Sequence, residues 1–267
     1  MVVIVKVLIT GAESGIGFLT GITLSDRGHI VYMTTHTEKG KENLIKKIDA
    51  MSIKNVNIFK LDITSFRDRN KILELDIDVL INHAGIGVGG SIIDLDINKV
   101  KENFNVNFFD SFDLVKIFCN SLINNNKKGK IIITSSIAGV MPIEFLGSYC
   151  SSKAAITTMA ACLRKELKMK TSDIQISVIE PGAYKTGFNE FMIDTIDLSI
   201  DKNSYFYDIS TVINNKLTKI FTLIEKKNIN SIVCKIVKSV EDKNNKFIYT
   251  APLLQVIAKK IYLLFFR

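Results

Sequence analysis

The chain has 267 residues, of which 47% are hydrophobic and 23% charged, with only 15 glycines and 3 prolines. That composition can bury one large α/β core or two small ones, and it excludes a disordered or low-complexity chain. The formal charge is +8, but the lysines are scattered and form no cluster with arginine or aromatic residues, so a lysine-rich surface is expected and a nucleic-acid partner is not.

The four cysteines lie in no C-x-x-C pair, and the three histidines are isolated. Free thiols in a reducing compartment are expected, and no metal site is. Residues 2–9 form a near-continuous apolar run, as a strand buried on both faces does. Lys6 interrupts the run and glycines follow at once, which disfavours a signal peptide. A helix is predicted over 15–27, stopped by Gly28. "HIVYMTT" reads as the second strand, "KENLIKKIDAM" as a helix, "NVNIFKLD" as the third strand and "DVLINHAG" as the fourth.

A long helix is predicted over 96–125, then "GKIIITSS" as the fifth strand, a helix over 147–170 and "IQISVIEPG" as the sixth strand. Beyond Pro181 the alternation stops. "SIVCKIVKSVED" reads as a helix and "KFIYT" as a last short strand. Strands alternating with helices predict stacked βαβ units around one doubly wound parallel sheet of about seven strands flanked by helices. The whole chain, 1–267, reads as a single domain, with a helical insertion over 187–230 and an apolar segment over 251–267. No apolar run reaches the length of a spanning helix.

Residues 10–17 read T-G-A-E-S-G-I-G. They follow a strand and open a helix, the context a dinucleotide-binding turn requires. Gly11, Gly15 and Gly17 let backbone approach a pyrophosphate closely, with Ser14 and Ile16 between them. The helix N-terminus supplies unpaired N–H groups and the positive end of its dipole. A plain glycine-rich turn is the alternative for this loop taken alone.

The spacing G-x-x-x-G-x-G is similar to that of the classical short-chain dehydrogenase/reductase family, and further stretches resemble the same family in order. Asp62 in "KLDIT", followed by Ile63, resembles the aspartate that contacts the adenine. Asn82, Ala84 and Gly85 in "NHAG" resemble the family's N-N-A-G; His83 departs from it and is read as a structural histidine. Asn107 in "FNVNFFD", Ser136 in "TSS", and Tyr149 and Lys153 in "YCSSK" match the active-site set, with Ser135 as the fallback serine. Pro181, Gly182 and Thr186 in "PGAYKT" resemble the segment lining the nicotinamide end. The resemblance covers residues 2–186 and implies a Rossmann-type fold and an NAD(P)-dependent oxidoreductase. That enzyme would move a hydride between nicotinamide and a secondary alcohol or ketone.

A phenol with a pKa near 10 is a poor base at neutral pH, and a cation four positions along the same helix face favours its phenolate. Tyr149 is thus expected as general acid/base. Lys153 is expected to lower the Tyr149 pKa and to bind the nicotinamide ribose, Ser136 to hold the substrate oxygen, and Asn107, by resemblance, to position a water relaying protons to Lys153. Cys150 is read as a packing residue.

The end of the second strand, where a carboxylate would grip the ribose 2′-hydroxyl of NAD, carries Thr34, Thr35 and His36. With Lys39 and Lys41 close in sequence, NADP(H) is favoured over NAD(H), although Glu13 adds negative charge on that side. Aromatics in 187–230 suit an apolar or extended substrate and equally suit an insertion packing its own core. The tail "LLQVIAKKIYLLFFR" has three readings: lying on a membrane surface, covering the substrate pocket, or packing on another subunit. It resembles the ends of retinol- and steroid-type members, which implies a lipid-like substrate. The alternatives are a 3-oxoacyl-type reductase and a non-catalytic NADP(H)-binding regulatory or scaffold protein. The resemblance implies a homodimer or homotetramer. The chain is expected in the cytoplasm, with peripheral membrane contact through the tail left open.

Overall fold

Short runs of Ile, Val and Leu become the central strands here because they are buried from both sides, where β-branched side chains pack well, while the two edge strands are only partly buried. The computed structural model describes residues 3–170, 173–200 and 202–265. Its strands are β1 (Lys6–Ile9), β2 (Ile30–Thr35), β3 (Val56–Lys60), β4 (Val79–Asn82), β5 (Gly129–Thr134), β6 (Ile174–Pro181) and β7 (Ile248–Ala251). They form one parallel seven-stranded sheet in the order β3-β2-β1-β4-β5-β6-β7. The chain runs outward from β1 to β3, then returns to place β4 against the other side of β1. That reversal opens a crevice beyond the carboxyl ends of β1 and β4, where ligands of open α/β sheets bind.

The pleat separates two cores. Val7, Ile9, Val31, Met33 and Ile81 face α1 (Gly15–Asp26), α2 (Glu38–Ala50) and α9 (Asn230–Glu241). Leu8, Leu80, Ile131 and Ile133 face the opposite layer, built from α5 (Ser111–Asn124) and α6 (Gly147–Lys170). A third cluster joins Leu146 and Tyr149 to Met192, Ile196, Leu217 and Phe221. It packs α7 (Phe188–Ser199) and α8 (Ser210–Ile224) over the crevice, so the expected helical insertion is two helices sharing a core with the site. The chain closes with α10 (Leu253–Phe265).

Three expectations about elements change. The first strand begins at Lys6, and Val3 and Ile4 are exposed, so the apolar run outlasts the sheet; Val2 lies outside the described residues. The helix expected over 96–125 is α4 (Ile97–Phe104), a π-helical turn (Asn105–Asp110) and then α5. A short helix, α3 (Phe66–Asn70), follows β3 where none was read.

Asn82 holds the crevice's floor. Its Oδ1 accepts from the Thr10 hydroxyl at 3.5 Å, and its Nδ2 donates to the Ser111 hydroxyl at 2.7 Å and carbonyl at 2.9 Å. One buried amide thus ties β1, β4 and α5 together. Truncating it leaves buried partners unpaired, so Asn82→Ala is expected to lower unfolding stability by about 1–3 kcal/mol, measured by urea denaturation.

Candidate active site

A cavity of about 1010 Å³ opens at the carboxyl ends of the strands. Gly11, Ser14, Gly15 and Ile16 of the glycine loop line it, with Asp62, Ile63, Ala84 and Gly85, and so do Ser136, Tyr149, Lys153, Pro181, Gly182 and Thr186; Thr186 closes on the loop, 3.3 Å from where a Cβ on Gly15 would stand.

The glycine loop is shaped by what it nearly touches. Gly11 has φ +67°, and a Cβ there would stand 2.9 Å from the Ala84 Cα. At Gly17 a Cβ would meet the Gly11 carbonyl oxygen at 2.6 Å, so this glycine lets α1 seat against the loop rather than lining the cavity. The N-cap of α1, Ser14, makes no side-chain capping bond, and it lines the cavity with Gly15 and Ile16 of the first turn. Unpaired donors at a helix N-terminus suit an anion such as a pyrophosphate. Asn82 likewise acts from below: the Thr10 hydroxyl that donates to it accepts from the His83 and Ala84 N–H groups at 2.9 and 3.0 Å.

Thr34, like Gly17 and Asn82, does not line the cavity. Its hydroxyl donates to the Ile9 carbonyl at 3.2 Å and it is fully buried. Successive strand residues face opposite sides, so Thr35 borders the cavity in its place, with His36 beside it. Thr34 still positions the loop, because its carbonyl accepts from the Ala12 N–H at 2.8 Å. Lys41 is engaged on the surface with Glu38 at 2.7 Å.

The catalytic candidates converge. Ser136 caps a short 3-10 turn, accepting from the Ala138 N–H at 3.1 Å, and its hydroxyl lies near enough to the Tyr149 phenol to pull its pKa down. Ser135 serves structure: its hydroxyl donates to the Lys153 carbonyl at 2.9 Å. Residues four apart on α6 share a face, which sets the Lys153 Nζ 5.8 Å from the centre of the Tyr149 ring. Lys153 donates to the Thr134 carbonyl at 3.1 Å. Phe188 of α7 packs on Tyr149 with ring centres 5.7 Å apart.

Asn107 lies in the π-turn, a feature common at functional sites. Its Oδ1 accepts from the Ile86 N–H at 2.9 Å and its Nδ2 donates to the Ile86 carbonyl at 2.8 Å. It does not line the cavity. A Cβ on Gly85 would lie 2.9 Å from the Asn107 Oδ1 and 3.3 Å from the Lys153 Nζ, so the missing side chain is what lets these groups gather.

Burial dominates the titrations. It pushes the Lys153 ammonium down to about 8. It pushes the Tyr149 phenol up to about 12, against a smaller downward pull from the Ser136 hydroxyl. Tyr149 thus shifts opposite to the lowering expected from Lys153, and desolvation of the phenolate sets the direction. Burial, then the charge of Lys153, lowers His83 to about 4. His83 is thus neutral at pH 7, its Nδ1 3.1 Å from the Thr134 hydroxyl, and it borders the cavity.

Gln255 and Ala258 of α10 and Ile220, Phe221 and Ile224 of α8 border the cavity too, and none of them was singled out in sequence. Gln255 carried a signal, being polar in an apolar stretch. Among the described residues no group of three or more His, Cys, Asp or Glu could hold a metal ion, and all four cysteines are free.

The family model for short chain dehydrogenases matches residues 5–196. The chain belongs to the short-chain dehydrogenase/reductase family, whose members are NAD(P)-dependent oxidoreductases. A 3-ketodihydrosphingosine reductase from Bacteroides thetaiotaomicron is 35% identical over 190 residues, covering 69% of this chain and 65% of the relative. Dehydrogenase/reductase SDR family member 7B of Xenopus tropicalis is 31% identical over 194 residues, covering 68% and 62%. The chain thus matches less than two thirds of the length of these relatives. Among solved structures, a family member from Burkholderia phymatum in complex with NAD superposes with a TM-score of 0.81 at 18% identity, covering 97% of this chain and 93% of that one. One from Burkholderia cenocepacia in complex with NADP has a TM-score of 0.71 at 19% identity, covering 99% and 98%.

The lowered Lys153 pKa has a stability consequence. Below about pH 8 the native state carries the full cost of a buried charge. Above it the native state releases a proton that the unfolded chain keeps up to its ordinary value of 10.5, so stability rises with pH in that window. Wild type is therefore expected to gain stability relative to Lys153→Met between pH 7 and 10, read from paired thermal melts.

Proposed function

We propose that this protein reduces a ketone on an apolar, lipid-like molecule to the secondary alcohol with NADP(H) as the preferred cofactor. The observation that carries the proposal is the meeting of Ser136, Tyr149 and Lys153 in one cavity with a glycine loop whose helix N-cap, Ser14, makes no side-chain capping bond. When bound, the reduced cofactor supplies the hydride. Gly11, Ser14, Gly15 and Ile16 would hold its pyrophosphate, with Asp62 and Ile63 at the adenine. Pro181, Gly182 and Thr186 would border the nicotinamide.

The protein's own groups then manage the proton. A Tyr149 phenol held near 12 keeps its proton at neutral pH, which suits donation to a ketone oxygen. Ser136, near that phenol, would hold the same oxygen in place. Lys153 stays largely protonated at pH 7 and steadies the charge left on Tyr149 once its proton has gone. Asn107 would position the relay that restores it. The complete set argues against the scaffold reading.

The preference for NADP(H) rests on the absence of a carboxylate at the end of β2, where Thr35 and His36 border the cavity. The lipid-like substrate rests on the wall of Ile143, Leu146, Phe188, Met192, Leu217 and Phe221, and on the likeness to a relative named for a ketodihydrosphingosine. The same wall leaves room for a 3-oxoacyl chain.

Tyr149→Phe is expected to lower kcat on a long-chain ketone by about 10²–10⁴-fold, with NADPH binding unchanged by fluorescence titration; unchanged turnover would refute the assignment. In the same titration the wild type is expected to bind NADPH more tightly than NADH, and the reverse order would overturn the cofactor preference.

A further inference from the structure

The helix α10 faces the wrong way for a soluble protein's surface helix. Such helices bury their apolar stripe and show polar residues to water. In α10 two polar residues, Gln255 and Lys259, turn inward, while Lys260 is exposed. Gln255 accepts from the Ala183 N–H at 2.8 Å and donates to the Ile224 carbonyl at 2.8 Å. Lys259, one turn on, pairs with the Glu180 carboxylate, which is wholly buried at the end of β6 and also accepts from the Thr250 hydroxyl at 3.0 Å. None of α10's residues is buried.

These two anchors fix the helix's rotation; Val256 and Leu263 are half-buried, and most of the apolar residues are left outside. Leu253, Leu254, Ile257, Ile261, Leu264 and Phe265 recur at intervals of mostly three or four and are between 45% and 78% exposed. A stripe of that length on water is costly unless something covers it. The cover is indicated by the surroundings. Leu223, at the end of α8, is 83% exposed beside the Ile224 that receives Gln255. Lys185, Lys226, Lys227 and Lys260 are exposed around this end of the molecule. Segment 251–265 holds no acidic residue, and 210–227 holds only Glu225, which accepts from Asn189 at 2.7 Å.

We propose that the outer face of α10, with the end of α8, docks on an anionic lipid bilayer, its apolar stripe among the acyl chains and its lysines at the head groups. An apolar stripe flanked by cations and free of anions is the pattern of helices lying in a membrane interface. Ala258, Ile220 and Ile224 of these same helices line the cavity, so docking would set the cavity's wall against the membrane. Only that route for the substrate rests on the lipid-like reading above; the docking itself does not.

The experiment is co-sedimentation of the whole protein with vesicles of phosphatidylcholine alone or mixed with phosphatidylglycerol, without cofactor or substrate. Wild type is expected to bind the mixed vesicles, weakly or not at all the neutral ones, and to release as salt rises. Leu254→Asp combined with Ile261→Asp is expected to weaken binding by about tenfold or more, with unchanged turnover of a small water-soluble ketone. Should that variant fail to fold, Lys226→Glu with Lys227→Glu reads the charge contribution alone and is expected to bind less in the same assay. Wild type that ignores anionic vesicles, or variants that bind as well as wild type, would overturn the proposal. So would a wild-type dimer that dissociates on Leu254→Asp, with no vesicle binding, since the stripe would then belong to a second copy. Vesicle binding without any ketone turnover would leave the docking standing and count against the catalytic reading instead.

Discussion

A buried ammonium is the constraint around which the site is arranged. Lys153 is 4% exposed and, among the described residues, forms an ion pair with no carboxylate. Taking a charge out of water without a counter-ion is costly, and proteins answer by supplying hydrogen bonds or by shifting the pKa. Both happen here. The Thr134 carbonyl at the end of β5 accepts its proton at 3.1 Å, and its pKa falls to about 8. The β5 end, the rotation of α6, the π-turn carrying Asn107 and the bare backbone at Gly85 all meet at this one nitrogen.

The sheet explains why those groups can meet. Parallel strands deliver their carboxyl ends to a single edge, and the reversal between β1 and β4 opens the crevice there. The glycine loop follows β1, the Asn82–Gly85 segment ends β4, and the serines end β5. Each brings backbone, not long side chains, to the floor, which leaves room for an extended ligand. The apolar half of the cavity comes from elsewhere: α7 and α8 share a core with Tyr149, so packing of the lid and placement of the phenol are one and the same problem.

Much of this was legible in the residues. Strand and helix alternation showed the fold, because parallel strands must be apolar throughout. The glycine spacing and the Tyr149–Lys153 interval were readable because backbone approach and a helical repeat leave no other residue types or distances. What was not legible depended on phase and depth. Thr34 and Thr35 differ only in which face of β2 they take. The π-turn inserts one residue's worth of bulge into an ordinary helical pattern at Asn105–Asp110. The direction of the Tyr149 shift turned on how deeply the phenol is buried, which no local pattern records. Glu180 in the sixth strand gave no sign that its partner would be Lys259, 79 positions away, and without that pair the rotation of α10 could not be known.

The central claim is that these groups serve hydride transfer to a carbonyl carbon. The most direct measurement is a single turnover with NADPH carrying deuterium at the transferable nicotinamide position and a long-chain ketone, with the product analysed by mass spectrometry. The account predicts one deuterium on the new carbinol carbon and none elsewhere. An alcohol formed without the label, or a bound ketone returned unchanged beside bound reduced cofactor, would contradict it.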